Sequence, residues 1–222
     1  MTSQKLRERT VRVREMNAML RKLYPEPKIA LHHSNTWELL VAVILSAQCS
    51  DARVNMVTEK LFARYRTIAS YRDAPHAEME QALYQCGFYR NKAKNIQGAA
   101  KIVIEKYGGV IPHTMEELLI IPGVARKTAN VILSNAFHIH VGIAVDTHVR
   151  RFAIRFNLTD FKDPKRIEHD LMQIMPQSEW WGFNHRLVHY GRDVCPARKH
   201  DCITHPLTVL YPHAHTLWPR AH

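Results

Sequence analysis

Apolar side chains recur at three- and four-residue intervals along almost the whole chain, which is the spacing of one face of an α-helix. No stretch longer than a few residues alternates between apolar and polar side chains as an exposed β-strand does. The run at residues 41–45 is apolar on every side, as expected of a helix in the centre of a bundle. The sequence therefore predicts an all-α protein.

Several helix ends carry local signals. Thr114 and Glu117 form a capping-box pattern, Asp163 is an N-cap followed by Pro164, and Gly108 can end a helix in the left-handed conformation. The helices are predicted over residues 11–23, 37–47, 52–65, 77–85, 92–107, 115–120, 125–136, 147–156, 164–175 and 179–190.

The chain is strongly basic. Its 222 residues contain 31 Lys and Arg against 20 Asp and Glu, a net charge of +11 with neutral histidines. Basic side chains that neutralise phosphates gain from counterion release, so this balance favours a polyanionic partner. Charge alone does not exclude an ordinary basic protein that has no such partner.

Composition also predicts the compartment. The longest apolar run, residues 39–45, is too short to cross a bilayer, and charged residues begin at Lys5 without a signal-peptide core. The 4 cysteines are too few for a disulfide scaffold at this length and fit a reducing environment. We expect no membrane association and a cytoplasmic location, at the nucleoid if the source is bacterial or archaeal.

Residues 121–130 place a Pro–Gly turn between two predicted helices. Such a turn leaves backbone N–H groups at the start of the second helix without intrahelical partners, and these donors bind phosphate well. Lys127 falls in the first turns of that helix, and Asp146 follows after a short apolar run. An amine and a carboxylate near a phosphate-binding turn predict an active site that works on DNA.

Residues 121–151 closely resemble the helix-hairpin-helix and Asp loop of the endonuclease III family of DNA glycosylases. The similarity extends through residues 45–51 (LSAQCSD) and 86–93 (CGFYRNKA). The resemblance implies a two-domain, all-α glycosylase fold with a DNA-binding cleft between the domains. Residues 28–137 would form a central helical-barrel domain with the hairpin and the catalytic lysine. Residues 1–27 and 138–222 would form a composite domain that carries the catalytic aspartate.

The resemblance assigns catalytic roles to Lys127 and Asp146. A glycosylase flips its target nucleotide out of the stack, after which a lysine amine attacks C1′ and forms a Schiff base that permits β-elimination. Asp146 would assist deprotonation and stabilise positive charge on the sugar. Taken singly, Lys127 is better explained as a solvated lysine or phosphate contact, and Asp146 as the N-cap of a helix that begins at Thr147. The order and spacing of the motifs together favour catalysis. A useful amine also requires desolvation, so Lys127 would attack C1′ only if it is buried facing the flipped sugar.

By the same resemblance, Gln48 enters the gap left by the flipped base and Phe88 wedges into the stack. A buried glutamine at a helix end, and a core role for Phe88 or Tyr89, remain open. Ala125 stands where the family often has glycine, which costs energy if its φ is positive. The remaining DNA-binding residues are expected to be Pro122, Gly123, Val124, Ala125, Arg126, Thr128 and His148. Lys92, Lys94, Arg126, Arg150 and Arg151 are candidate phosphate contacts, or simply charges on solvated helix faces.

Family members commonly hold a [4Fe–4S] cluster on Cys-x6-Cys-x2-Cys-x5-Cys, and here those positions are Cys195, Cys202, His205 and Tyr211. Because two thiolates are missing, we predict that the cluster is absent. A zinc site on Cys195, Cys202, His205 and His213 is an alternative. Otherwise the tail is held by packing of Leu207, Val209, Leu210, Tyr211, Leu217 and Trp218.

The sequence thus predicts a monomeric DNA glycosylase with abasic-site lyase activity, acting on oxidised pyrimidines such as thymine glycol in double-stranded DNA. One alternative is a mismatch glycosylase for uracil or thymine, although Lys127 disfavours the monofunctional branches. Another is a non-catalytic helix-hairpin-helix protein. Such a protein would keep salt-sensitive DNA affinity without strand scission.

Overall fold

The computed structural model describes residues 2–217, and every regular element in that range is helical. The all-α prediction is confirmed. Within this range, none of the helices is both long and apolar enough to span a membrane. The helices are α1 (Ser3–Leu23), α2 (Thr36–Ser46), α3 (Asp51–Arg64), α4 (Ile68–Asp73), α5 (His76–Leu83), α6 (Tyr89–Tyr107), α7 (Met115–Leu118), α8 (Arg126–Ala136), α9 (Thr147–Arg155), α10 (Pro164–Ile174), α11 (Trp180–Asp193) and α12 (Pro206–Leu210). Short 3-10 helices span Tyr84–Cys86, Gln177–Glu179 and Pro212–His215.

The chain divides into two compact units. The central unit is Ile29–Val141, and the terminal unit combines Met1–Lys28 with Gly142–His222. The unit boundaries therefore fall after residues 28 and 141, whereas the sequence predicts them after residues 27 and 137.

Helix α2 forms the middle of the central unit. Its residues 39–45 are all buried, and the helix packs against α3, α6 and α8. A helix that is apolar on every side can bury itself only in this way, among several neighbours. Helix α6 also packs against α4 and α5, and it ends at Gly108 in the left-handed conformation, as predicted.

The terminal unit packs α1, α9, α10, α11 and α12 around a second core. The ring of Phe152 lies 5.5 Å from Tyr190 and 6.2 Å from Phe156, between centroids. The Asp163 side chain caps α10, with Pro164 at its first turn, as the sequence predicts.

Helix α1 begins at Ser3, eight residues before the predicted start at residue 11. The extra turns are polar and lack apolar periodicity, but Arg9 is only 1% exposed. Its guanidinium donates to the Asn157 carbonyl at 3.0 Å and to Asp160 Oδ1 at 2.8 Å. Tertiary hydrogen bonds, rather than an apolar stripe, therefore hold this end of the helix.

Helix α4, which the sequence analysis did not predict, is one and a half turns long and has little room for a period to appear. Thr67 and Ser70 close a reciprocal capping box at its start. In the tail, Leu207 is buried and Tyr211 packs against the core, whereas Val209, Leu210 and Leu217 are exposed. Packing therefore holds only part of the tail, and Trp218 lies outside the described residues.

Candidate active site

The hairpin turn of the central unit joins α7 to α8. The Val124 N–H donates to the Ile121 carbonyl at 3.1 Å, and Gly123 has a φ of +82°. Proline at the second position and a left-handed glycine at the third are the requirements of a type II turn. A Cβ at Gly123 would also lie 3.0 Å from the Cβ of Asn95 in α6, so space as well as conformation requires glycine.

The backbone at the start of α8 is suited to an anion. Ala125, the N-cap, has φ −97° and ψ 171°, which is extended backbone that any residue adopts. The departure from the family's glycine therefore costs no strain here. The methyl side chain of Ala125 cannot cap this helix end. The first-turn N–H groups and the positive end of the helix dipole are thus left to solvent or to a phosphate.

Some of the other hairpin residues pack against the central unit, and others are partly exposed. Val124 is buried with Ile121 in the central core, and Pro122 packs against α6, where a Cβ on Gly98 would lie 3.2 Å from Pro122 Cγ. Arg126 and Thr128 are half-buried in the first turn of α8. Val124 therefore fixes the turn from inside, and its predicted contact with DNA is through the backbone at most.

Lys127 is the second residue of α8, and its side chain is exposed. The burial that the proposed attack requires is therefore not present in the chain without DNA. The Lys127 backbone lies in the first turn of α8, where the N-cap side chain accepts no N–H. This position brings an amine to any strand that binds the hairpin.

Gln48 lies in the turn between α2 and α3, is exposed, and has a φ of +54°. The alternative of a buried glutamine that satisfies a helix end is therefore wrong. Left-handed backbone is unfavourable for a residue with a Cβ, and it costs roughly 1 kcal/mol or more. Such conformations persist where the surrounding structure holds a side chain in a particular place.

Phe88 repeats this combination immediately before α6. It has a φ of +47° and is 69% exposed, so a core role for Phe88 is excluded. Tyr89 is the aromatic residue that packs inward, against the central core and 5.1 Å from the Tyr84 ring. An exposed phenylalanine on strained backbone is an unusual use of an apolar side chain, and it suits a wedge.

Lys92 is not available as a phosphate contact. Its Nζ is buried and donates to the Cys86 carbonyl at 2.8 Å, and burial lowers the pKa of the amine. Lys94 is exposed on the same helix and remains a candidate. The sequence could not separate the two, because both lie in one basic segment.

Asp146 is the N-cap of α9 in the terminal unit. Its Oδ1 accepts a hydrogen bond from the Val149 N–H at 2.8 Å, so the capping role is confirmed. Each carboxylate oxygen has two lone pairs, and one cap bond leaves accepting capacity for a second partner. The side chain is half-buried.

The segment that leads to Asp146 is held on both sides. Ile143 and Val145 are buried in the terminal core. The Asn184 side chain, from α11, donates its Nδ2–H to the Ala144 carbonyl at 2.6 Å. Asn184 therefore positions the Asp146 loop, a role that no local sequence signal reveals because Asn184 and Ala144 are 40 positions apart.

His148 and Arg151 point into the terminal unit. His148 is half-buried, and its Nδ1 lies 3.4 Å from Arg151 Nη2. A Cβ on Gly191 would lie 2.3 Å from the His148 Nδ1. Arg151 is buried and donates Nη1–H to the Cys195 carbonyl at 2.7 Å, so its candidacy as a phosphate contact is wrong. Arg150 is exposed and donates to the Lys162 carbonyl at 2.9 Å.

A fully buried arginine, Arg155, lies against the two cysteines of the C-terminal segment. Its Nη1 is 3.0 Å from Cys195 Sγ, its Nη2 is 3.0 Å from Cys202 Sγ, and the Ala214 carbonyl accepts from the same guanidinium. Burial raises the pKa of the Cys195 thiol, and the charge of Arg155 opposes that rise.

These residues do not fit a four-iron cluster. The four positions of the family spacing supply two thiols, one imidazole and the phenol of Tyr211. The Tyr211 ring lies under the Arg12 guanidinium, 4.1 Å from its carbon, and 6.3 Å from the Phe156 ring. A cluster needs four donors of thiolate or imidazole type.

The structure does gather a smaller donor set in this segment. Ligand atoms of Cys195, His200 and His205 lie within 4.8 Å of one another. Of the predicted zinc ligands this set contains Cys195 and His205 but neither Cys202 nor His213, and His213 is exposed and hydrogen-bonds Thr216. His200 was missed because it stands outside the family's spacing.

The chain is similar to known repair proteins over most of its length. Residues 41–177 match the model of the HhH-GPD superfamily of base excision DNA repair proteins. Endonuclease III of Synechocystis is 47% identical over 210 residues, which are 95% of this chain and 96% of the relative.

Two solved structures extend the similarity to the fold. One is a non-covalent complex of endonuclease III with DNA, and the other is a trapped covalent intermediate of endonuclease III with DNA, an estranged-adenine complex. Each superposes with a TM-score of 0.88 at 42% identity, over 93% of this chain and 97% of the other. The chain therefore belongs to the HhH-GPD superfamily of base excision DNA repair proteins and, within it, to the endonuclease III family.

Proposed function

We propose that this protein removes oxidised pyrimidines, such as thymine glycol, from double-stranded DNA and cleaves the strand at the resulting abasic site. The observation that carries the proposal is the exposed Lys127 amine in the first turn of α8, directly after a turn whose N–H groups suit a phosphate. The net charge of +11 supports a DNA partner. The enzyme would act as a monomer in the cytoplasm, at the nucleoid if the source is bacterial or archaeal.

The proposed reaction begins once the target nucleotide has rotated out of the stack. The neutral Lys127 amine attacks C1′, the glycosidic bond breaks, and the base leaves with the bonding electron pair and takes up a proton. Loss of the amine proton and opening of the sugar ring give a Schiff base between Lys127 Nζ and C1′. Removal of a C2′ proton then expels the 3′ phosphate by β-elimination, which cuts the strand.

Because Lys127 is exposed in the free chain, the bound DNA would have to remove water from its amine. A neutral amine requires removal from water, and in the free chain the Lys127 side chain faces solvent. A nucleotide seated on the start of α8 would exclude water there. The positive end of the helix dipole disfavours a second positive charge at the same place.

Asp146 would accept the proton that the amine loses and stabilise positive charge as it develops on the sugar. Its capping bond to Val149 orients the carboxylate, and Asn184 fixes the loop that carries it. A carboxylate held by its own helix needs no reorganisation when the charge appears, and this is the condition for effective electrostatic stabilisation.

Gln48 and Phe88 would occupy the space that the flipped nucleotide leaves. Both are exposed on left-handed backbone in the central unit. An amide can hydrogen-bond the orphan base on its Watson–Crick edge, and an aromatic ring can stack in the gap.

Borohydride trapping tests the proposal. Duplexes that contain thymine glycol, an abasic site, or a G·U or G·T mismatch are incubated with the parent, Lys127→Ala and Lys101→Ala. Lys101 is an exposed lysine on α6 and serves as the matched control for loss of one positive charge. We expect covalent adducts on thymine glycol and abasic duplexes with the parent and the control, and none with Lys127→Ala.

Other outcomes would replace the proposal with one of its alternatives. Base release from the mismatch duplexes alone would assign the mismatch specificity. If salt-sensitive binding persists while no duplex is trapped or cut by the parent, Lys127 is a phosphate contact in a binding protein.

A further inference from the structure

The segment after α11 brings three metal-ligating side chains together. One ligand atom each from Cys195, His200 and His205 lies within 4.8 Å of the other two. Tetrahedral bonds of about 2.0–2.3 Å to Zn²⁺ place ligand atoms roughly 3.5 Å apart, so a shift of about 1 Å closes this set around one ion. The cysteine is buried and both histidines are half-buried, so water competes weakly.

The imidazole of His200 is oriented as metal ligands usually are. Its Nδ1 lies 2.7 Å from the Arg198 carbonyl oxygen, so Nδ1 carries the hydrogen and donates it. The lone pair is then on Nε2, which is buried. Histidines that bind metal almost always give their other N–H to a carbonyl, a carboxylate or water in this way.

His205 supplies a second, independent sign of a ligand. Its Nδ1 is buried and has no hydrogen-bond partner among residues 2–217. Its ring centroid lies 5.1 Å from that of His200. A buried ring nitrogen without a partner is unfavourable, and coordination to a cation would satisfy it.

Arg155 prepares two sulfurs for negative charge. It is 0% exposed, and its two terminal nitrogens each lie 3.0 Å from one sulfur, that of Cys195 or Cys202. A metal-bound cysteine is a thiolate, and charge-assisted N–H···S bonds stabilise it. Cys202 lies outside the set of ligand atoms within 4.8 Å of one another, so it becomes the fourth ligand only when its side chain shifts toward the other three.

We propose that Cys195, His200, Cys202 and His205 hold a single Zn²⁺ ion at the position where the family's four-iron cluster does not fit. Two thiolates and two imidazoles form the closed tetrahedral set of structural zinc sites, and their charges neutralise the ion. The ion staples residues 195–205 into a compact loop, and Arg155 ties that loop to the end of α9. The site is separate from the residues proposed for catalysis.

Metal titration of the full-length protein tests this site. The purified protein is analysed for zinc and iron, stripped with a chelator, and titrated with Co²⁺ and then Zn²⁺. We expect one ion per chain, the strong visible bands of tetrahedral Co²⁺ with a thiolate-to-metal charge-transfer band, and their loss when Zn²⁺ is added. The titration of the parent protein needs no variant and does not depend on activity.

Two variants locate the ligands. His200→Asn and His205→Gln should each weaken Zn²⁺ binding by more than the about 10- to 100-fold that losing a supporting contact costs. His213→Ala, which removes an exposed histidine of the same segment, should bind as the parent does. Far-UV circular dichroism checks that the variants stay helical.

Three results would overturn the proposal. One is a parent that binds no Co²⁺, or binds it with the weak spectrum of an octahedral site. Another is unchanged affinity in both His200→Asn and His205→Gln. The third is about four irons per chain with matching sulfide, which would restore the cluster despite the donor set.

Discussion

At the scale of single residues, the central unit keeps three exposed side chains on unfavourable backbone: His138, with a φ of +54°, and the two proposed DNA contacts Gln48 and Phe88. Gln48 and Phe88 have φ values of +54° and +47°. Evolution toward stability alone would remove such positions by substitution with glycine or asparagine. Their presence supports a role in which the side chain itself is required.

Phe88→Asn should make the protein more stable and less active. Asparagine tolerates the left-handed conformation, so the free energy of unfolding should rise by about 0.5–1 kcal/mol in urea denaturation. Loss of the ring should lower the single-turnover rate of base release. Val110→Asn is the matched control, since Val110 is 68% exposed without positive φ, and it should give neither effect. A destabilised Phe88→Asn would contradict the strain argument.

Two substitutions at Asp146 separate its cap from its chemistry. Asp146→Asn keeps an oxygen for the Val149 N–H, so unfolding free energy should change little while the rate of adduct formation falls. Asp146→Ala should lose the same rate and, in addition, about 1 kcal/mol of stability with the cap. Thermal melts and single-turnover kinetics measure the two effects. If Asp146→Asn reacts at the parent rate, Asp146 is only a cap.

At the scale of elements, helix α11 controls the loop that carries Asp146. The Asn184 side chain is the contact, at 2.6 Å from the Ala144 carbonyl. The Ala144 carbonyl also accepts the Asp146 N–H at 3.0 Å, so removing the Asn184 donor costs about 0.5–1.5 kcal/mol, the net contribution of one hydrogen bond.

Asn184→Ala should therefore lower the single-turnover rate while affinity for a reduced abasic duplex stays close to that of the parent, because no charge is lost. Asn184→Asp preserves size but lacks the N–H donor, and it should show the same loss. Parallel measurements of rate and Kd separate positioning from binding. An Asn184→Asp variant with the parent's rate would show that the hydrogen bond does not position the loop.

At the scale of the whole molecule, buried titratable groups set the response to acid. Burial, with the charges of His189 and Arg192 adding to it, lowers the pKa of His185 to about 4. The unfolded chain binds this proton near pH 6.5 and the folded chain only near pH 4, so stability is full above about pH 6.5 and is lost as pH falls between those values. The loss is on the order of 3 kcal/mol.

His185→Phe should flatten this part of the pH profile. The difference in unfolding free energy between pH 7 and pH 4 should shrink relative to the parent, whatever the offset caused by repacking against Trp181. His169→Gln, a change at an exposed histidine, is the control and should keep the parent's profile. An unchanged profile in His185→Phe would assign the acid sensitivity to other groups.

How far the sequence predicts this molecule depends on the range of the interactions. Local signals were sufficient for the hairpin, for the cap at Asp146 and for most helix bounds, because each depends on a few adjacent residues. Contacts between distant positions were not predictable. Arg155 meets Cys195 across 40 residues, and Arg9 meets Asp160 across 151. The exposure of individual side chains could not be predicted from the sequence pattern either. Lys92 and Lys94 share one basic segment, and only the fold buries Lys92.

Mass mapping of the trapped adduct identifies the nucleophile. The parent is reduced with borohydride on an abasic duplex, digested with a protease that cuts independently of lysine, and the DNA-linked peptide is sequenced by fragmentation. We expect a single adduct on Lys127 Nζ. An adduct on any other lysine or on the chain's N-terminal amine would contradict this expectation.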